Sequence, residues 1–177
     1  SIELIGGENI VVKNCQLGAQ PTGITCKVQE VNKLSFINNQ VYPDGRENLV
    51  LDACDNCVIE GNNFKSYYNG ILVLNGNDNT VNKNIFWLTG AVQNQLLDHG
   101  DDFGIINVKG NNNMVASNSL SCEWAYAGAV TVNAVQGTGN VFKNCFVDNL
   151  ESYRVFLVNA QTEVSNCVSS DKVSIVE

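Results

Sequence analysis

The 177-residue chain is long enough for one domain with a sizeable core, and its net charge of -8 with a pI near 4.5 argues against nucleic acid and anionic membrane as partners. No apolar run approaches the roughly 18 residues that a membrane span requires, and no signal-peptide pattern opens the chain. Asn and Gly are abundant and Pro is scarce, a strand-rich and turn-rich composition that points to an all-β chain.

The chain opens with SIELIGGEN, inside a repeat and without a capping signal. It is therefore expected to be a C-terminal portion of a longer solenoid, or to have its first coil covered by another segment. ENIVVKNCQL is the first copy of a pattern that returns as DNCVIEGNNF, DNTVNKNIFW, NNMVASNSL and GNVFKNCF. Each copy has an Asn in a turn, an apolar strand, a second Asn and then a large apolar residue. The second asparagines are Asn14, Asn38, Asn62, Asn84, Asn118, Asn144 and Asn166, at intervals of 24, 24, 22, 34, 26 and 22 residues. Each coil holds a further short strand, such as GITCKV, NLVLDA, GIINVK or AVTVNA.

Leucine-rich repeats of this length need several Leu at fixed offsets, which are missing. Val and Ile dominate, and β-branched residues suit strands. A side-chain amide carries donors and an acceptor, so a column of Asn can bond up and down a stack. The pattern predicts a right-handed parallel β-helix, one domain over residues 1–177, of about seven coils with an asparagine ladder.

Seven cysteines cannot all pair internally. Cys15, Cys145 and Cys167 each follow an Asn, a recurring slot that suits a small buried side chain. CDNC at Cys54–Cys57 has the spacing of a zinc or redox motif, but no second CxxC and no helix signal follow it, so neither metal nor cofactor is expected.

The 34-residue interval is about ten residues longer than its neighbours, and the excess falls in residues 87–102, WLTGAVQNQLLDHGDD. Solenoid insertions go to loops on one face, often a binding face. This one holds the only His, His99, beside Asp98, Asp101 and Asp102. If residues 101–108 are extended, Asp101, Phe103, Ile105 and Asn107 share one face and Asp102, Gly104, Ile106 and Val108 the other. Ile106 and Val108 make the better core pair, which turns Asp101 and Asn107 outward and leaves Asp101 and Asp102 without a shared dyad. A second acid must come from another coil or another subunit. Glu30, Asp52 and Glu123 are the remaining acids near strands, and Glu123 sits beside Trp124 and Tyr126, a pairing that suits sugar rings. No Gly-rich phosphate cradle and no Ser-His-Asp order is present, and with one His a metal cluster would have to be carboxylate-based.

LDACDNCVIEGNNF, NGILVLNGNDNTVNKNIF and GDDFGIINVKGNNNMVASNSLS resemble, in order and spacing, coils in the C-terminal part of the inulin fructotransferase family, which forms difructose anhydride and includes hydrolases of that product. The resemblance implies a cofactor-free homotrimeric β-helix acting outside the cell on β-2,1-linked fructan. In that reaction a fructose hydroxyl attacks the anomeric carbon with acid and carboxylate assistance. It implies catalytic roles for Glu30, Asp101 and Asp102, and substrate contacts for His99, Phe103, Asn107, Glu123 and Trp124. The sequence departs from the family at QPTGI, where Thr22 stands in place of an Asp that could act as an acid. The alternatives are a non-catalytic glycan-binding or structural trimeric β-helix, and another β-helix polysaccharide-degrading enzyme; no Lys or Arg adjoins Asp101 to serve a lyase.

Overall fold

The computed structural model describes residues 1–18, 23–42, 47–67, 70–88, 103–122, 130–148, 152, 154–169 and 171–176. The first coil holds β1 (Ile2–Glu8), β2 (Val11–Lys13) and β3 (Gln16–Leu17). The second holds β4 (Ile24–Asn32), β5 (Ser35–Ile37) and β6 (Gln40–Val41), and the third β7 (Glu47–Asp52), β8 (Val58–Glu60) and β9 (Asn63–Ser66). Next come β10 (Leu72–Asn75), β11 (Thr80–Asn82) and β12 (Ile85–Leu88), then β13 (Ile106–Val108), β14 (Met114–Ala116) and β15 (Ser119–Cys122). The sixth coil holds β16 (Val132–Ala134), β17 (Val141–Lys143) and β18 (Phe146–Asp148). β19 (Phe156–Asn159) and β20 (Glu163–Ser165) make a seventh, and β21 (Val173–Val176) follows.

Each strand pairs in parallel with its counterpart one coil away, which gives three sheets of eight, seven and six strands wound as a right-handed β-helix. The repeat pattern anticipates two strands per coil; there is a third. The large apolar residue after each second Asn is the inward residue of that third sheet: Leu17, Val41, Phe64, Phe86, Leu120 and Val147 are all buried. Phe64 and Phe86 stack from adjacent coils, with centroids 4.9 Å apart and planes 3° from parallel.

Strands this short need a corner after every few residues, and two of the three corners follow one rule. A residue at positive φ turns the chain, and the next side chain points inward. At the corner from the second to the third sheet the turning residues are Asn14, Asn38, Gly61, Lys83, Ser117, Asn144 and Asn166, with φ between 52° and 68°. The inward residues after them are Cys15, Asn39, Asn62, Asn84, Asn118, Cys145 and Cys167. The predicted Asn column therefore merges two neighbouring positions. Asn62, Asn84 and Asn118 belong to the buried stack, whereas Asn14, Asn38, Asn144 and Asn166 are the turns before it. Asn tolerates the left-handed region, which is why both positions read as Asn.

Along the buried stack each Oδ1 accepts from the backbone N–H and the Nδ2 of the coil before it, as Asn84 Oδ1 does from Asn62 at 2.9 Å in both cases. Each Nδ2 also donates to a backbone carbonyl one coil back, so four buried polar groups are satisfied per amide. A second stack at the corner from the first to the second sheet joins Asn79, Asn113 and Asn140 in the same way, after turning residues Asp78, Asn112 and Gly139. Its amides donate to the carbonyls of Cys54, Gly76 and Gly110. A Cβ on Gly76 or Gly110 would collide with the backbone carbonyl of the coil above, so this column needs glycine.

The described cysteines are free thiols, and five of the seven are buried. Cys54 and Cys57 donate to the carbonyls of Asp52 and Asp55 at 3.3 and 3.4 Å, and burial pushes both thiols above their usual range, Cys57 to about 11. Among the described residues no helix is long and apolar enough to cross a membrane.

Candidate functional site

The third corner leads from the third sheet back to the first. Its connections run from Leu17, Val41, Ser66, Leu88, Cys122 and Asp148 to the next strand of the first sheet, and their lengths differ widely. The longest joins β12 to β13. Trp87 and Leu88 belong to β12, so the insertion begins two residues later than the repeat implies. The Asn84 Nδ2 to Asn118 Oδ1 bond spans 34 residues at 3.0 Å, against 22 residues at 2.9 Å from Asn62 to Asn84. The stack thus keeps its spacing, and the surplus residues fall between β12 and β13 in sequence.

The chain returns at Phe103. Its ring packs on Gly70, where a Cβ would collide with it and approach the Glu47 side chain. Gly70 N donates to Gly104 O at 2.9 Å, which ties the return to the coil before it. Gly104 is itself pressed against the Thr131 carbonyl. Of the stretch expected to be extended, residues 101–108, the first two lie outside the described residues and the strand is Ile106–Val108. Ile106 and Val108 are buried as predicted, but Ile105 is buried as well. Asn107 is on the outer face of β13, yet only 2% exposed. Its amide closes on Gly104, accepting from Gly104 N at 2.9 Å and donating to Gly104 O at 2.8 Å. The predicted outward Asn107 is therefore covered and anchored.

Beside this clamp is a depression of about 200 Å³ on the first sheet, lined by Phe103, Asn107, Val108, Lys109, Asn133, Val135 and Gln136. Asn107 and Asn133 are register partners on β13 and β16 and form its floor. Phe103 is one wall, and Lys109 and Gln136 are exposed on the other side. Asn133, Lys109 and Gln136 were not anticipated from the sequence. The signal for Asn133 was present, since GIINVK and AVTVNA place an Asn at the same register. Three amides, an ammonium and an aromatic ring suit neutral hydroxyl-rich ligands, and no described lining residue is a carboxylate.

Glu30 is exposed and far from this depression. It has φ 54° and, with Gly6 at φ 67°, falls at a kink that the β1–β4 register passes over. Three strand spacings, about 14 Å at the usual 4.8 Å, separate β4 from β13. Glu30 also follows the part of β4 aligned with Asn107, whereas Phe103 precedes it, so one chain does not bring them together. Asp52 accepts from Gln29 at 3.3 Å and Asn75 at 2.7 Å, part of an outer row that ties three coils. Thr22, His99, Asp101, Asp102, Glu123 and Trp124 lie outside the described residues. Among the described residues no group of three or more His, Cys, Asp or Glu is placed to hold a metal.

Residues 22–175 match the family described as the right handed beta helix region. No curated protein matches the chain in sequence. Among solved structures, DFA-IIIase from Arthrobacter chlorophenolicus A6 without its lid is 24% identical with a TM-score of 0.84, covering 99% of this chain and 46% of that one. The same enzyme in complex with GF2 is 21% identical with a TM-score of 0.82, covering 99% and 49%. In complex with DFA-III it is 20% identical with a TM-score of 0.76, covering 99% and 51%. The chain spans about half the length of these structures.

Proposed function

This chain belongs to the right-handed β-helix family, and from that premise we propose that it is part of a fructan-processing enzyme of the difructose-anhydride type. The observation that carries the reading is the position of Phe103. It directly follows Asp101 and Asp102 in sequence, and it walls a depression lined by amides. The DFA-IIIase structures supply the fold likeness, and two of them hold GF2 and DFA-III.

In this reading Phe103 stacks on a fructose ring while Asn133, Lys109 and Gln136 take its hydroxyls. Asp101 and Asp102 bring the carboxylates that the described walls lack. One protonates the leaving oxygen or assists the attacking hydroxyl, through an oxocarbenium-like transition state. The second acid is Glu30 of a neighbouring subunit in a homotrimer, because Glu30 of the same chain is too far away. Incubating the protein with inulin tests this by the appearance of difructose anhydride. Asp101→Asn or Asp102→Asn is expected to lower the rate by about 10²-fold or more. A second reading, glycan binding without catalysis, is favoured by Thr22 and by the distance of Glu30 from the depression. Fructan binding without product would establish it, and neither binding nor product from folded protein would sink both.

A further inference from the structure

The buried stack at the second corner changes chemistry at its downstream end. After Asn118, the next two coils place Cys145 and Cys167 in the same slot, 3% and 6% exposed. Cys145 N donates to Cys167 Sγ at 3.4 Å, the bond that an Asn Oδ1 accepts elsewhere in the stack. The Cys167 sulfur thus reaches towards the coil of Cys145. The Cys145 thiol donates onward to Val115 O at 3.7 Å and to Lys143 O at 3.5 Å, and the Cys167 thiol to Ser165 O at 3.5 Å. β17 and β20 run in register to Lys143 and Ser165, and Val168 N donates to Cys145 O, so the two cysteines stay side by side. Parallel neighbours are about 4.8 Å apart, inside the roughly 4.4–6.8 Å of Cα separation that a disulfide spans.

We propose that Cys145 and Cys167 form a redox-active dithiol site that reacts with low-molecular-weight disulfides and closes to a disulfide joining the sixth and seventh coils. The Cys145 thiolate attacks one sulfur of the small disulfide, the S–S bond breaks, and one small thiolate leaves and takes up a proton. The Cys167 thiolate then attacks the Cys145 sulfur of the mixed disulfide and expels the second small thiol. The protein loses two hydrogens and two electrons, and the small disulfide gains them as two thiols. In this pair, side-chain hydrogen bonding between the two sulfurs holds the Cys145 thiol below the usual range against burial and pushes the Cys167 thiol above it, which makes Cys145 the attacking group and leaves Cys167 to resolve the mixed disulfide. The CDNC pair lacks this arrangement: both of its thiols donate to backbone carbonyls and burial raises both.

The test is a disulfide map of the full chain after incubation with oxidised glutathione, alkylation of remaining thiols and tryptic digestion without reduction. Cleavage after Lys143, Arg154 and Lys172 separates the two cysteines onto peptides 144–154 and 155–172. These two peptides are expected as the dominant cross-linked species, lost on treatment with dithiothreitol and reduced more than tenfold by Cys145→Ser. Alkylated free thiols at both positions, a glutathione adduct on Cys145 that never resolves, or oxidation of Cys54 and Cys57 first would each overturn the proposal. The wild-type map decides by itself if the variant does not fold.

Discussion

The second corner and the third divide the molecule into a frame of fixed spacing and an edge of variable length. At the second, three positions separate the inward residue of the second sheet from the stacked side chain in every coil, from Val12 and Cys15 to Val164 and Cys167, whereas the first takes six positions from Asn107 to Asn113 and seven from Asn133 to Asn140 with its stack intact. At the third, the connection runs from five residues between Ser66 and Leu72 to seventeen between Leu88 and Ile106, and the sheets on either side stay in register. The bond between Asn84 and Asn118 shows the consequence, since its length does not register the surplus between them. Differences in connection length collect where the hydrogen-bonding frame does not constrain them.

The largest effect is expected from breaking the frame at its centre. Asn84→Ala removes the acceptor for Asn62 N and Nδ2 and the donor to Ile59 O, all buried. Each group left unpaired costs about 1–3 kcal/mol, so a loss on the order of 4 kcal/mol is expected in urea denaturation. A change below 1 kcal/mol would mean that the stack is not what sets coil length. Gly110→Ala comes next, at about 1–3 kcal/mol, because the new Cβ meets the Gly76 carbonyl and neither backbone can withdraw. The same substitution at half-buried Gly6 meets no atom within 4 Å, and its cost of about 1–2 kcal/mol comes from holding Ala at φ 67° rather than from a clash.

A graded effect follows from the thiols sealed in the frame. Burial raises Cys26 from 9.0 to about 12, so the unfolded chain releases this proton before the folded one does. The stabilisation is complete below pH 9 and is lost as pH climbs from there towards 12. Denaturation midpoints measured across that window should fall, and Cys26→Val should flatten the slope. Equal slopes in the two proteins would remove Cys26 as the cause.

How much of this could be read from the chain varies with position. The β-helix was legible because Val and Ile strands recur between Asn turns, and the slot after Asn showed in the KNC and SNC repeats. The stack was misplaced by one residue in several coils, because the left-handed turn and the buried slot both accept Asn and only burial separates them. The second stack escaped notice, although Asn79, Asn113 and Asn140 each follow a turning Asp, Asn or Gly. At the site, alternation of faces assigned Ile106 and Val108 to the core. It could not foresee that Asn107, on the opposite face, closes on Gly104 and is covered. Such a clamp depends on the return angle after an insertion, which no local pattern encodes.

The smallest stability effect is expected from cutting the variable edge itself. Deleting residues 90–99 from the insertion shortens a loop outside both stacks and should change the unfolding free energy by less than about 0.6 kcal/mol. That variant also provides the most direct test of the division of labour: calorimetric titration of an inulin-type fructan trisaccharide onto the loop-deleted chain beside the wild type. Binding to the wild type and a loss of at least tenfold in affinity in the deleted chain are expected. Equal affinity in the two proteins would contradict this, since the insertion would then have no part in the proposed sugar site.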